Sequence, residues 1–256
     1  MSDRINREDQ HETSAPSSCL AAVVAVVAGL SVLAAAMSGV GYRQHWWSLG
    51  GAFTILTWAT YGALATIVLG IVAVLRGRAR DGAREFWMVF VGLTVAMAFA
   101  SYVLNWRDTA RRVPPIHDIT TDLDNPPAFV AIVPLRAKAR NSYSYGGPDI
   151  ARQQKLGYPD LGPLFLDMDA DAAFDRALAA ARAMGWKIVA SVPEEGRIEA
   201  TDTTLWFGFA DDVVVRVVAA GGKARIDVRS VSRVGRSDVG TNARRIHAYL
   251  ARIQRG

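Results

Sequence analysis

Hydrophobic positions along the chain change their rhythm once, near residue 106. Before that point they run almost unbroken. After it they alternate or recur at helical spacing. Cys19 to Val40, Gly51 to Leu75 and Phe86 to Leu104 are apolar runs without Asp, Glu, Lys, Arg or His. A bilayer core takes about 20 apolar residues of helix, so each run predicts a membrane span. Tyr42, Trp46, Trp47, Trp87, Tyr102 and Trp106 stand at the run ends, where amphipathic rings prefer the interface. The first run is longer than a signal-peptide core, and two more follow it.

From Asp169 onward the pattern is that of a compact globular unit. Asp169 reads as a helix cap, with Asp171 in the first turn, a buried stripe of Phe174, Ala177, Leu178 and Ala181, and Gly185 as the stop. Four alternating stretches follow: Trp186 to Val192, Arg197 to Thr203, Trp206 to Val218 and Lys223 to Val234. Gly196 and the Gly221-Gly222 pair mark turns between them. After Gly235 and Gly240, Thr241 or Asn242 is placed to cap a last helix. Its stripe is Ile246, Tyr249, Leu250 and Ile253, and Arg244, Arg245, Arg252 and Arg255 read as its wet side. The fold class predicted is α+β: three transmembrane helices, then a two-layer α/β sandwich of helix, four-stranded antiparallel sheet and helix. The organisation expected is a flexible polar tail (1–18), a three-helix transmembrane region (19–106), an extended Pro/Gly-rich connecting segment (107–165) and an α+β soluble domain (166–256).

The connecting segment holds two Pro-Pro pairs, Pro114-Pro115 and Pro126-Pro127, which favour extended chain. Between them lie His117, Asp118, Asp122 and Asp124. Oxygen ligands at close range suit a divalent cation, but the spacing matches no metal loop, and Asp and Thr bonding their own backbone explains the run as well. No metal and no cofactor is expected. Tyr143 and Tyr145, further on, suit either the lining of a ligand groove or the cover of a sheet face.

Charge adds an asymmetry. Residues 1–106 hold 7 Lys+Arg against 6 Asp+Glu, and residues 107–256 hold 22 against 18. From Arg216 to the end the balance is 10 against 2. Such an end suits anionic lipid or an envelope polymer, and equally a solvated helix face with internal pairs. The single cysteine, Cys19, allows no disulfide within one chain. Arg76, Arg78, Arg80 and Arg84 in the second loop outnumber Arg43 in the first. By the positive-inside rule the N-terminus is cytoplasmic, the protein multi-pass in the inner (plasma) membrane, and the domain after Trp106 periplasmic or extracytoplasmic. Arg107, Arg111 and Arg112 pull the other way.

The alternation places polar and charged residues on shared sides of strands: Glu199, Thr201 and Thr203 on one, Asp212 and Arg216 on the next, Asp227, Arg229 and Arg233 on the last. Binding candidates are Asp211, Asp212, Arg216, Arg229, Arg233, Asp238, Asn242 and Arg245. Arginine forks suit phosphate and carboxylate. Cross-strand pairs such as Arg216 with Asp227, and a turn pinned by Asp238 and Asn242, account for the same residues. An exposed polar sheet face is expected.

Three stretches resemble a known family: HDITTDLDNPPAF, GWKIVASVPEEGRIEATDTTLWFGFADDVVVRV and DVRSVSRVGRSDVGTNARRI. They are similar to the bacterial domain-of-unknown-function family 1499 over about residues 115–252, and some members also begin with three spans. The resemblance implies the fold and the membrane setting. It implies no catalytic residue, because the family's activity is unassigned.

Two function classes follow. One is a non-enzymatic envelope protein whose domain binds a lipid headgroup, a polymer or a partner protein. The other is a membrane-anchored hydrolase drawing on Ser230, Ser232 or Ser237 with Asp211, Asp212 or His117. No GxSxG-type motif supports the second. Spans free of charge argue against transport. Nucleic acid is not expected, since an outward domain does not meet it. Small-residue spacings such as Ala25/Gly29 and Thr66/Gly70 suit packing within one chain or a homo-oligomer.

Overall fold

A computed structural model of the chain describes residues 15–76 and 82–256. Most of the polar tail, and Arg78 and Arg80 of the basic loop, lie outside the described residues. The chain divides into two compact units, Met1–Trp106 and Arg107–Gly256.

The first unit contains α1 (Ala15–Arg43), α2 (Leu49–Leu75) and most of α3 (Ala83–Arg112). All three are long and apolar enough to cross a membrane. The first helix begins at Ala15, four residues before the apolar run. Small residues set the packing. A Cβ on Gly92 would lie 2.9 Å from Val24 Cγ1, and one on Gly41 would strike the Trp47 ring at 2.1 Å. Trp47 Nε1 donates to the Ser38 carbonyl at 2.9 Å. Thr57, Thr60, Thr66 and Thr94 donate their hydroxyls to the carbonyl four residues back, which satisfies these four donors within their own helices.

The second unit is built on a six-stranded antiparallel sheet. Its strands are β1 (Asp118–Thr120), β2 (Leu164–Leu166), β3 (Lys187–Val192), β4 (Arg197–Thr203), β5 (Ala210–Ala220) and β6 (Lys223–Ser232). The order is β1-β6-β5-β4-β3, with β2 pairing β6 beside β1. β6 is thus the centre of a split partner: Asp118 faces Val231 at one end, and Leu164 faces Ile226 at the other. The remaining helices are α4 (Pro148–Gly157), α5 (Ala170–Ala183) and α6 (Thr241–Arg255).

α5 and α6 cover one sheet face. Phe174, Ala177, Ile246, Tyr249 and Ile253 pack against Ile198, Val213, Val215, Ile226 and Val228. Trp186 and Tyr249 meet at 4.6 Å between ring centroids, and the Tyr249 hydroxyl donates to the Ala177 carbonyl at 2.8 Å. Asp169 caps α5 by accepting from Ala172 N at 2.7 Å, as its sequence position implies.

Several features depart from the sequence reading. The sheet has six strands where four were expected. β1 and β2 come from the segment expected only to connect, and three residues are too few to show a period of two. That segment also holds α4, started by Pro148 with Asp149 in its first turn. The third expected strand starts at Ala210 and not at Trp206, because Thr204 to Phe209 closes a loop. Thr204 N donates to Phe209 O, and Phe209 N to Thr204 Oγ1, both at 2.9 Å. The polar face of the sheet is not exposed. Residues 121–145 lie across it, and Phe129 and Ile132 pack there on Val214 and Val231.

Candidate functional site

The predicted site residues separate into two groups on opposite faces of the sheet. Asp212, Arg216, Arg229 and Arg233 lie on the face covered by residues 121–145. Asp211, Asp238, Asn242 and Arg245 lie on the helix side, where β5 and β6 meet the start of α6.

On the covered face every carboxylate has a guanidinium. Arg229 is bidentate on Asp118, and its Nη2 also donates to Tyr143 O at 2.7 Å. Phe129 and Tyr145 flank the guanidinium at 5.2 and 5.4 Å, so the tyrosine serves as cover. Asp212, fully buried, accepts from Arg136 Nη1 at 2.6 Å, Arg233 Nε at 2.9 Å and Thr201 Oγ1 at 2.7 Å. The Asp212 bond raises the Arg233 pKa against the effect of burial. Asp227 faces Arg216 across the strands and pairs with it at 2.9 Å. Asp122 reaches in from the cover to Arg216 at 2.8 Å and Arg225 at 2.7 Å. Burial works against its charge, but the Asn125 N–H and the two guanidiniums prevail and lower its pKa.

Glu199 has no exposed surface and holds the cover by backbone. Its carboxylate accepts from the N–H groups of Val130, Ala131 and Ile132 at 2.9–3.1 Å, and from Arg197. Gln154 does comparable work at the sheet edge. Its amide accepts from Thr120 N at 3.0 Å and donates to Thr120 O at 2.6 Å, closing the free side of β1. Sequence reasoning missed Arg136, Glu199 and Gln154 as structural polar groups. Glu199 was placed on the right side of its strand, but nothing near Arg136 or Gln154 signals a buried partner.

On the helix side, Arg245 corrects the reading that it stays wet. It is 6% exposed and pairs with Asp211 at 2.6 Å and Asp202 at 2.8 Å. Burial disfavours its charge, and the two aspartates overcome this and raise its pKa. Asn242 joins the group. Its Oδ1 accepts from Ser230 Oγ at 2.8 Å and from Arg245, and its Nδ2 donates to Ser232 Oγ and His117 O, both at 3.0 Å. The cap of α6 is neither Thr241 nor Asn242. Asp238 accepts from Gly240 N at 2.8 Å and Asn242 N at 2.9 Å. Burial pushes its carboxyl above the usual value, only partly offset by those two bonds.

The chemistry available follows from these contacts. Ser230 and Ser232 are committed to Asn242. The His117 ring faces Arg236 O at 3.3 Å, and His247 faces Asp160 at 3.4 Å. Among the described residues no serine hydroxyl meets an imidazole. His117, Asp118, Asp122 and Asp124 are not gathered around a common point. Asp118 and Asp122 point to different arginines, and Asp122 also accepts from Asp124 N and Asn125 N at 3.2 and 3.0 Å. Among the described residues no group of three or more His, Cys, Asp or Glu could hold a metal ion.

Exposed cations without a carboxylate partner among the described residues include Lys155, Arg182, Lys187, Arg252 and Arg255, and a set of four, Lys138, Arg140, Arg236 and Arg244. These four gather at one end of the sheet. Arg140 N donates to Arg233 O at 3.0 Å, just past β6, and Asp238 N donates to Ile116 O at 3.1 Å. Ser232 N donates to His117 O at 3.0 Å. This is the end at which the chain arrives from α3.

A family model described as "Protein of unknown function (DUF1499)" matches residues 118–253. The match opens on the first residue of β1 and closes on the last buried residue of α6. Among curated proteins, no sequence matches the chain.

Proposed function

The chain belongs to the DUF1499 family of proteins of unknown function, and from that premise we propose that it is a non-enzymatic, membrane-anchored domain that binds anionic lipid headgroups. One observation carries the reading. The sheet arginines are consumed by internal carboxylates, while Lys138, Arg140 and Arg236 are left to solvent at the end that receives the chain from the third span. Guanidinium forks and an ammonium group suit a phosphate. Each such cation near an anionic surface contributes about 1 kcal/mol. The commitment of Ser230 and Ser232 to Asn242 supports binding over hydrolysis. The loop charges support a cytoplasmic N-terminus and a domain on the outer side of the inner membrane, within the bacterial envelope.

The test uses full-length protein in detergent, titrated with short-chain phosphatidylglycerol and phosphatidylcholine. Tighter binding of the former, weakened by salt and by Arg140→Gln with Arg236→Gln, is the expected result. Equal affinity for both lipids would sink the proposal. Paired C-terminal reporters, one active only inside the cytoplasm and one only outside, test the orientation. An inside signal overturns the outward placement.

A further inference from the structure

The β4–β5 loop lies at the same end of the sheet as the free cations. Thr203 pairs with Ala210, and Ala210 O accepts from Arg233 N at 3.0 Å. The loop is therefore level with the turn that holds Arg236. It is rigidly built. Thr204 closes it with its backbone and hydroxyl, and Phe207 is buried and stacked on Phe209 at 5.1 Å. On top of this base Leu205 is 90% exposed, and beside it Trp206 is half-buried, its ring edge-on to Phe207 at 5.0 Å.

A lone exposed leucine is ordinary. The position of this one is not. α3 ends at Arg112, and from there the chain leads to β1. The β4–β5 loop is about 10–14 Å across the sheet from β1 at the same end. The turns at the far end of the sheet are polar: Pro193–Glu195 exposes Glu194 and Glu195, and Gly221-Gly222 has no side chains. An apolar tip with cations beside it, at the end of the sheet where the chain enters from α3, matches a lipid surface.

We infer that Leu205 and Trp206 form a wedge that enters the interface of the membrane in which the chain is anchored, flanked by Lys138, Arg140 and Arg236. This rests on the headgroup reading and adds an apolar contact to it. Tryptophan prefers the headgroup boundary, and a basic surface with an apolar tip binds anionic bilayers by both terms.

The experiment places full-length Cys19→Ala protein in nanodiscs, one chain per disc. An environment-sensitive fluorophore is attached through Leu205→Cys, or through Glu194→Cys as the far-end control. In phosphatidylglycerol-containing discs the probe at 205 is expected to emit blue-shifted light and to be quenched by lipid-borne nitroxide. The probe at 194 is expected to stay open to aqueous iodide. Water-like emission and iodide quenching at 205 overturn the wedge. Immersion that occurs only with two chains per disc makes the occupant a second copy and also overturns it. The two readings fail separately. A wet probe at 205 with charge-dependent lipid binding removes the wedge alone. An immersed probe with charge-independent lipid binding removes the headgroup reading and leaves the wedge.

Discussion

Arg229 grips Asp118 at two points, Nε to Oδ1 at 2.9 Å and Nη2 to Oδ2 at 2.7 Å, although the two residues are 111 positions apart. Both are nearly buried. The pair fastens the short β1 strand to β6, and the same guanidinium holds the cover through Tyr143 O. Lysine offers a single nitrogen and cannot reproduce the fork. Arg229→Lys is therefore expected to destabilise by about 3 kcal/mol, in the range of broken buried pairs. Denaturant unfolding of the full chain in detergent measures it. A loss of under about 0.5 kcal/mol, the level of a neutral surface change, would show that the fork is dispensable.

Glu199 works through backbone, not through another strand. Its oxygens take the N–H groups of Val130, Ala131 and Ile132. Glu199→Gln keeps the shape but turns one acceptor into a donor facing donors. The cost expected is about 2–3 kcal/mol for charged hydrogen bonds left unmade. Hydrogen exchange should accelerate at residues 130–132 and stay unchanged in α5. Unchanged exchange at 130–132 would contradict this role.

Asp122 gives the covered face a pH dependence. Its carboxyl titrates below the ordinary value in the folded chain. A depressed pKa adds stability above the unfolded-state pKa of about 3.9, and that stability is lost as pH falls through the folded value. Asp122→Asn lacks the charge at every pH. The gap in Tm between wild type and Asp122→Asn should be open at pH 7 and close as the pH falls below about 4. A gap constant from pH 7 to pH 3 would refute it.

Two glycines with positive φ separate backbone strain from crowding. Gly196 has φ +61°, and a Cβ there would lie 2.0 Å from the Val217 carbonyl oxygen. Gly222 has φ +81° and open space around it. Gly222→Ala should cost only the left-handed penalty of about 1–2 kcal/mol. Gly196→Ala should cost clearly more, since backbone must move. Equal losses in unfolding experiments would mean that the β3–β4 turn gives way freely.

The Asn242 cluster offers a further check. Asn242→Ala leaves Ser230 Oγ, Ser232 Oγ and His117 O without their amide partner. About 2–4 kcal/mol is expected from such unmet buried groups, read by thermal unfolding. A neutral result would place the strength of this junction in the Arg245 pairs instead.

Periodicity and local chemistry determined a good part of this protein. Uncharged runs long enough for a bilayer announce α1 to α3. Asp169 announces α5, the alternation of Arg197 to Thr203 announces β4, and Gly221-Gly222 announces the β5–β6 hairpin. These signals are local, because a span, a cap or a turn is satisfied by its own few residues. Only the tertiary structure decided the rest. β1 and β2 are too short to carry a period, and each exists because β6 offers it a free edge. Arg245 looks wet in a helical projection, yet Asp202 and Asp211 lie over it from strands 43 and 34 residues away. The polar sheet face looks open in sequence, yet residues 121–145 close it. A charge is buried or solvated according to whether a partner arrives, and here the partners of Arg229, Asp212 and Glu199 come from distant stretches of chain that no local pattern links.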